Sequence, residues 1–183
     1  MNNSSFKMVI ILTLIASLSG IILSFVHSST KEKIAEAYRQ EFLRALVKVL
    51  PKYDNEPDKD IKTVKDRTIY VAKYKGEVVG YAILSTSTKG YGGDIDVLVG
   101  VSPSGKILGI EILRHAETPG LGNKIENEEF KNKFKGLDLN DKIAVKKDGG
   151  MIDQFSGATI SPRAVAEAVD LGLKFISDNL LEK

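Results

Sequence analysis

Met8 to Val26, MVIILTLIASLSGIILSFV, runs for 19 residues without a charged side chain. At about 1.5 Å of rise per residue a helix of that length covers about 28 Å, close to the hydrocarbon thickness of a bilayer. The segment therefore reads as a transmembrane helix, an anchor over residues 1–30, and the lipid bilayer is the first partner the chain implies. A cleaved signal peptide is the competing reading, with VHSST as its cut site. Its apolar region usually runs only about 7 to 15 residues, so the length favours a retained anchor.

The 183 residues fit one domain of ordinary size plus appendages. Twenty-six basic residues stand against 24 acidic ones, a formal charge of +2, and the longest basic run is Lys146-Lys147. Such balance excludes nucleic acid as a partner. There is no cysteine and there are only two histidines, His27 and His115. Disulfides, thiolate zinc sites, cysteine-ligated iron–sulfur clusters and a cysteine nucleophile all drop out, and no metal site is expected. Redox chemistry in this chain would need an organic cofactor.

Residues 31–60 read as an amphipathic helix and a linker. KEKIAEAYRQEFLRALVKVL places Ile34, Tyr38, Phe42, Ala45, Leu46 and Leu50 at three- and four-residue spacing, and Pro51 stops the helix. PKYDNEPDKD is polar and carries two prolines. Over residues 61–183 the apolar period changes to two. Thr68 to Lys75 and Val78 to Ser87 flank Gly76 and predict one hairpin; Ile95 to Val101 and Lys106 to Leu113 flank SPSG and predict another. A polar helical stretch is predicted around Asn127 to Phe134. A final helix is predicted from Pro162 to Leu181, with Ser161 as N-cap, Pro162 at the first helical position and an apolar stripe from Ala164 to Leu173. The expected fold class is α+β: a twisted antiparallel sheet of hairpins with helices packed on one face, preceded by one N-terminal transmembrane helix.

Three stretches can carry chemistry. In DQFSGAT, Asp153 to Thr159, capping the final helix needs one oxygen, yet Ser156, Thr159 and Ser161 offer three, and Gly157 and Ala158 keep the backbone approachable. ETPGLG, Glu117 to Gly122, follows the fourth predicted strand, and GYGG, Gly90 to Gly93, precedes the third. Taken singly each has an ordinary reading: a cap, a Pro-Gly turn with His115 and Glu117 solvated, and a glycine turn. A serine hydrolase does not fit, because Gly-x-Ser-x-Gly is absent and the histidines are poorly placed to act as base. Neither a dinucleotide fingerprint nor a phosphate loop is present, and no residue is assigned as catalytic.

Taken together and in order, GYGG…IDVLVGV, ETPGLG and DQFSGAT resemble the signature stretches of the FMN-binding domain family. DQFSGAT has the form of its flavinylation motif, in which the threonine hydroxyl is joined to the FMN phosphate as a phosphoester. The likeness runs from about Thr68 to the C-terminus. With the anchor ahead of it, the chain is similar to the G subunits of Rnf electron transport complexes. C subunits of the sodium-translocating NADH:quinone reductase share the threonine motif and anchor but are usually longer, so the short chain favours Rnf.

The resemblance implies covalent FMN on Thr159, with Ser156, Gly157 and Ala158 beside the attachment point. It puts the isoalloxazine along the backbone of Glu117, Thr118, Pro119, Gly120, Leu121 and Gly122, whose amides are expected to meet its polar edge, and Tyr91 against water. A phosphate on Thr159 would lie at the start of the final helix, where free amides and the dipole stabilise an anion. The family further implies a flavin transferase that draws FMN from FAD and recognises Asp153, Ser156, Gly157, Ala158 and Thr159. It also implies the other subunits of a complex that couples ferredoxin:NAD oxidoreduction to sodium or proton movement. Its flavin domain lies on the extracytoplasmic, periplasmic side of the cytoplasmic membrane. A count of Lys7 and the amino terminus against Lys31, Lys33 and Arg39 gives the opposite orientation. The family orientation is preferred, because partner subunits can fix the topology of a single span. Two other classes stay open: a stand-alone anchored flavoprotein reductase or sensor, and an anchored scaffold without cofactor.

Overall fold

A computed structural model describes residues 3–181 of the chain, with side chains from residue 6 onward. The outer limits expected for the anchor at residue 1 and for the last segment at residue 183 lie outside the described residues. The chain divides into two compact units, Met1–Glu41 and Phe42–Lys183.

The first unit is helical throughout its described residues and belongs to helix α1 (Asn3–Val49). Its apolar stretch reaches a mean hydropathy of 2.6 with none of it buried in protein, so it is long and apolar enough to cross a membrane. Two hydroxyls of the helix bond back to carbonyls one turn earlier. Thr13 Oγ1 donates to the Val9 carbonyl at 2.9 Å and Thr30 Oγ1 to that of Val26 at 2.8 Å. The amphipathic stretch expected as a separate segment is continuous with this helix. Neither Gly nor Pro occurs between residues 21 and 50, and Pro51 is the first residue that cannot continue the helix.

The second unit is built on a five-stranded antiparallel meander in the order β1 (Ile61–Val64), β2 (Arg67–Tyr74), β3 (Glu77–Ser87), β4 (Ile95–Val101) and β5 (Ile107–Arg114). Both expected hairpins are present, as β2–β3 and β4–β5. Strand β1 adds an edge that the polar linker pattern concealed. It pairs with β2 from Ile61 opposite Tyr70 to Val64 opposite Arg67, across a turn in which Lys65 and Asp66 both take positive φ. A two-residue hairpin of that kind usually announces itself with Asn-Gly, and no glycine stands here.

Helices cover both faces of the sheet, not one. On the first face lies α3 (Ile160–Leu180), whose Val165, Val169, Leu173 and Ile176 are fully buried in a core with Ile83, Val97 and Val99. Each such side chain contributes about 1.5–3 kcal/mol relative to exposure, so packing, not propensity, holds this helix. On the second face the end of α1 buries Ala45, Leu46 and Val49, with Leu50 just after it, against Ala72, Ala82 and Leu98. Successive strand residues point to opposite faces, so β3 and β4 can supply both cores at once. Contact is closest at Gly100, where a Cβ would stand 2.0 Å from the Val49 carbonyl oxygen.

The helix expected at Asn127 to Phe134 is a single turn, α2 (Glu128–Lys131), between the 3₁₀ turns Gly122–Glu126 and Asn132–Phe134. Its polar exterior surrounds two apolar anchors. Phe130 and Phe134 enter the main core edge to face, with ring centroids 5.4 Å apart.

Candidate functional site

Helix α3 starts immediately after the Ser-Gly-Ala-Thr sequence. Thr159 is its N-cap, with φ −80° and ψ −25°, and its side chain makes no capping hydrogen bond. Ser161, expected as the cap, lies inside the first turn. It is buried, and its hydroxyl donates to Oε2 of Glu117. The helix can begin two residues earlier than expected because Pro162 still falls within the first turn, where a missing N–H costs nothing. Ile160 and Ser161 thus keep amides without intrahelical acceptors. Arg163 is the first to find one, at the Thr159 carbonyl, 3.2 Å away.

Glu117 is only 5 % exposed, not solvated as a turn residue would be. Its Oε1 accepts the Gly92 amide at 3.0 Å, and its own amide donates to His115 Nδ1 at 3.0 Å. That bond makes His115 Nδ1 an acceptor and leaves Nε2 to donate to Glu126 Oε1, 2.9 Å away. One carboxylate therefore ties the β3–β4 loop to the start of α3.

Glycine is required around it. A Cβ on Gly92 would lie 1.8 Å from the Ala116 carbonyl oxygen, and one on Gly122 would lie 2.6 Å from both Glu117 Oε2 and Ser161 Oγ. These glycines leave room for the protein's own backbone and for Glu117. Gly157 differs: its φ is +77°, and no atom lies within 4 Å of where a Cβ would be.

The ETPGLG loop spends most of its amides internally. Leu121 and Gly122 donate to the Thr118 carbonyl at 3.2 and 3.0 Å, and Gly120 donates to Asn123 Oδ1 at 2.8 Å. Pro119 has no N–H. Among the described residues, only the Thr118 amide of this stretch is left without a protein acceptor, so the expected row of amides free for a ligand is not present.

Tyr91, Glu117, Thr118, Leu121, Gly122, Gly157, Ala158 and Thr159 line one cavity of about 320 Å³, together with Ile160 and Ser161. Of the residues singled out in the sequence, Ser156, Pro119 and Gly120 lie outside that lining, and all three are exposed. Ile160 and Ser161 were missed as lining residues. The surplus hydroxyl of Ser161 was the available signal, but without the fold it reads as a cap.

Asp153 is likewise not part of this lining. Its carboxylate sits between Lys133 Nζ at 2.6 Å and Lys146 Nζ at 2.5 Å, while Phe155 packs on Phe130 with ring centroids 5.1 Å apart. The two anchors hold the first half of the motif and leave Ser156 and Gly157 exposed. Hydrogen bonds from Lys133 and then Lys146 hold the Asp153 carboxyl down at about 2, from an ordinary 3.8. A carboxyl lowered on folding stabilises above its unfolded value, and that contribution is lost as pH falls through its folded value. Loop anchoring is therefore expected to be complete above about pH 4 and to fail toward pH 2. A carboxyl NMR titration checks this: the Asp153 midpoint should lie near 2 and return toward the ordinary value in Lys133→Met/Lys146→Met. Arg163 is also engaged, gripping Asp148 through Nε at 2.6 Å and Nη2 at 3.0 Å.

The FMN-binding domain family matches residues 90–174, and the RnfG N-terminal region matches residues 1–49. The chain is 37% identical to the G subunit of the ion-translocating oxidoreductase complex of Pseudomonas aeruginosa, over 96% of this chain and 90% of that protein. It is likewise 37% identical to the G subunit of the same complex from Shewanella amazonensis, over 100% and 93% of the two chains. Among solved structures, the C subunit of the Na(+)-translocating NADH-quinone reductase of Parabacteroides distasonis has a TM-score of 0.51 and 25% identity, over 64% of each chain. With both regions in place and relatives aligned along nearly its full length, the chain belongs to the RnfG family, the G subunits of ion-translocating oxidoreductase complexes, and carries that family's FMN-binding domain.

Proposed function

We propose that this chain is a membrane-anchored electron-transfer subunit that carries FMN covalently, as a phosphoester on Thr159, within a complex coupling ferredoxin:NAD oxidoreduction to sodium or proton movement. One observation carries the reading. Thr159, at the open end of α3, shares a cavity with Tyr91 and the Glu117–Gly122 loop.

The residues present fit the group. Thr159 has a hydroxyl not used in capping, Gly157 beside it stands in open space, and the amides of Ile160 and Ser161 lack helical acceptors. The cavity, about 320 Å³, falls at the lower end of the roughly 300–1,000 Å³ usual for ligand pockets, a size suited to a flat ring with the rest of the molecule outside. FMN held there supplies the electron chemistry, which the protein only positions and tunes. Thr159 Oγ1 accepts the riboflavin phosphate of FAD from a flavin transferase, with AMP leaving and the hydroxyl proton passing to solvent. The first amides of α3 and its positive end hold the phosphate charge. Thr118, whose amide has no protein acceptor among the described residues, lines the cavity, and the apolar surfaces of Tyr91, Leu121 and Ile160 line it too.

In this reading residues 1–30 anchor the chain in the cytoplasmic membrane, residues 31–60 connect, and residues 61–183 form the flavin domain on the periplasmic side. The RnfG N-terminal match over residues 1–49 favours Rnf over the quinone reductase, whose C subunit shares the fold. The test is purification of the tagged full chain from membranes that also contain an active flavin transferase. The expected result is a mass increase of one FMN and co-purification of several polytopic subunits. A flavin-bearing chain isolated without partners would favour a stand-alone flavoprotein, and an unmodified chain would sink the reading.

A further inference from the structure

We propose that the buried carboxylate of Glu117 holds the reduction potential of the group in this cavity below the value the same cavity would set without that charge. The inference rests on the FMN reading above and deepens it.

Glu117 lines the cavity together with Thr159, so anything attached at Thr159 and lying inside is a neighbour of its carboxylate. Its Oε1 accepts from the Gly92 amide and its Oε2 from the Ser161 hydroxyl. None of the ion pairs among the described residues involves Glu117. Of the cations nearest in sequence to the lining residues, Lys89 is engaged with Glu167 and Arg163 with Asp148, while Lys124 is exposed and forms no ion pair with Glu117. His115 turns an acceptor nitrogen toward the Glu117 backbone, and its other nitrogen faces Glu126. Among the described residues the carboxylate is met by two hydrogen bonds and the positive end of α3, with no cation paired to it.

A purely architectural role does not need that charge. Glutamine has the same shape; its Oε1 can accept the Gly92 amide while its Nε2 donates to Ser161 Oγ, which can accept as readily as donate. The loop would stay tied to the helix, and a buried unpaired charge, which is costly in itself, would be avoided. What glutamate adds is a negative charge on the wall of the cavity that it lines with Leu121, Ala158 and Ile160. An acceptor that takes up two electrons and one solvent proton gains one net negative charge. The carboxylate opposes that gain and so lowers the potential.

The experiment uses the full-length chain in detergent, loaded with FMN by a co-expressed transferase, as wild type, Glu117→Gln and Ser161→Ala. Intact mass first establishes one FMN per chain; a wild type without FMN would refute the function proposed above rather than this inference. Spectroelectrochemical titration with soluble mediators then gives the midpoint potentials. Glu117→Gln is expected to shift the midpoint positive. Ser161→Ala, which keeps the charge but removes a donor that spreads it, is expected to shift it negative. An unmoved midpoint in Glu117→Gln, or shifts of the same sign in both variants, overturns the proposal. Should Glu117→Gln fail to take up FMN, Ser161→Ala decides alone, and an unmoved or positive midpoint there refutes it.

Discussion

Thr159→Ala is expected to abolish covalent FMN altogether, leaving a chain of unmodified mass and no in-gel flavin fluorescence after denaturation. No neighbouring serine can take over. Ser156 lies outside the cavity lining, and the Ser161 hydroxyl is committed to Glu117. Thr159→Ser keeps a hydroxyl at the same place and is expected to retain the adduct at a lower rate, since serine lacks the γ-methyl group that restricts χ1. The fold itself should scarcely notice the alanine. An N-cap threonine that bonds the helix typically loses about 1 kcal/mol on truncation, but this one makes no capping bond, so the expected change is within about 0.5 kcal/mol. Denaturation measured beside the mass spectrum separates the two roles. Retained flavin with a destabilised fold would mean that Thr159 is a cap and not an attachment point.

The largest loss of stability is expected from Phe134→Ala, at about 3–5 kcal/mol. Phe134 is fully buried and packs edge-on against Phe130, so truncation leaves a cavity that a sheet-backed core cannot easily close. The effect should reach the attachment loop as well, because Phe130 also carries Phe155, four residues before Thr159. Urea unfolding followed by circular dichroism measures the first part, tryptophan being absent from the chain. Faster amide exchange at residues 153–159 than elsewhere on the same sheet face measures the second. A loss under about 1 kcal/mol would mean that this aromatic cluster does not anchor the core.

Much of the fold is present as local pattern. Alternation marked β2 to β5, a run of 19 uncharged residues marked the apolar part of α1, and the stripe from Ala164 to Leu173 marked α3. Each is a periodicity of about 2 or 3.6 residues, or a length, and needs no knowledge of what lies opposite. Strand β1 escaped because its turn, Lys65-Asp66, takes positive φ without glycine, and its four residues are largely exposed. The start of α3 was misplaced because Ser161 is a good cap in isolation, and only the nearness of Glu117, 44 residues earlier, gives its hydroxyl a better partner.

The site divides in the same way. The three stretches and their order are legible in the sequence alone, because a motif is a matter of residue type and spacing; Thr159 as the point of phosphate attachment is what their resemblance to the family implies, and is proposed above. Tertiary structure alone decided that Glu117 is buried, that Gly92 and Gly122 make room for protein rather than ligand, and that most amides of the ETPGLG loop are already spent. It also decided that helices cover both faces of the sheet. The physical reason is common to all of these. Burial, close approach and hydrogen-bond satisfaction belong to pairs of groups far apart in the chain, and no window of sequence contains both members of the pair.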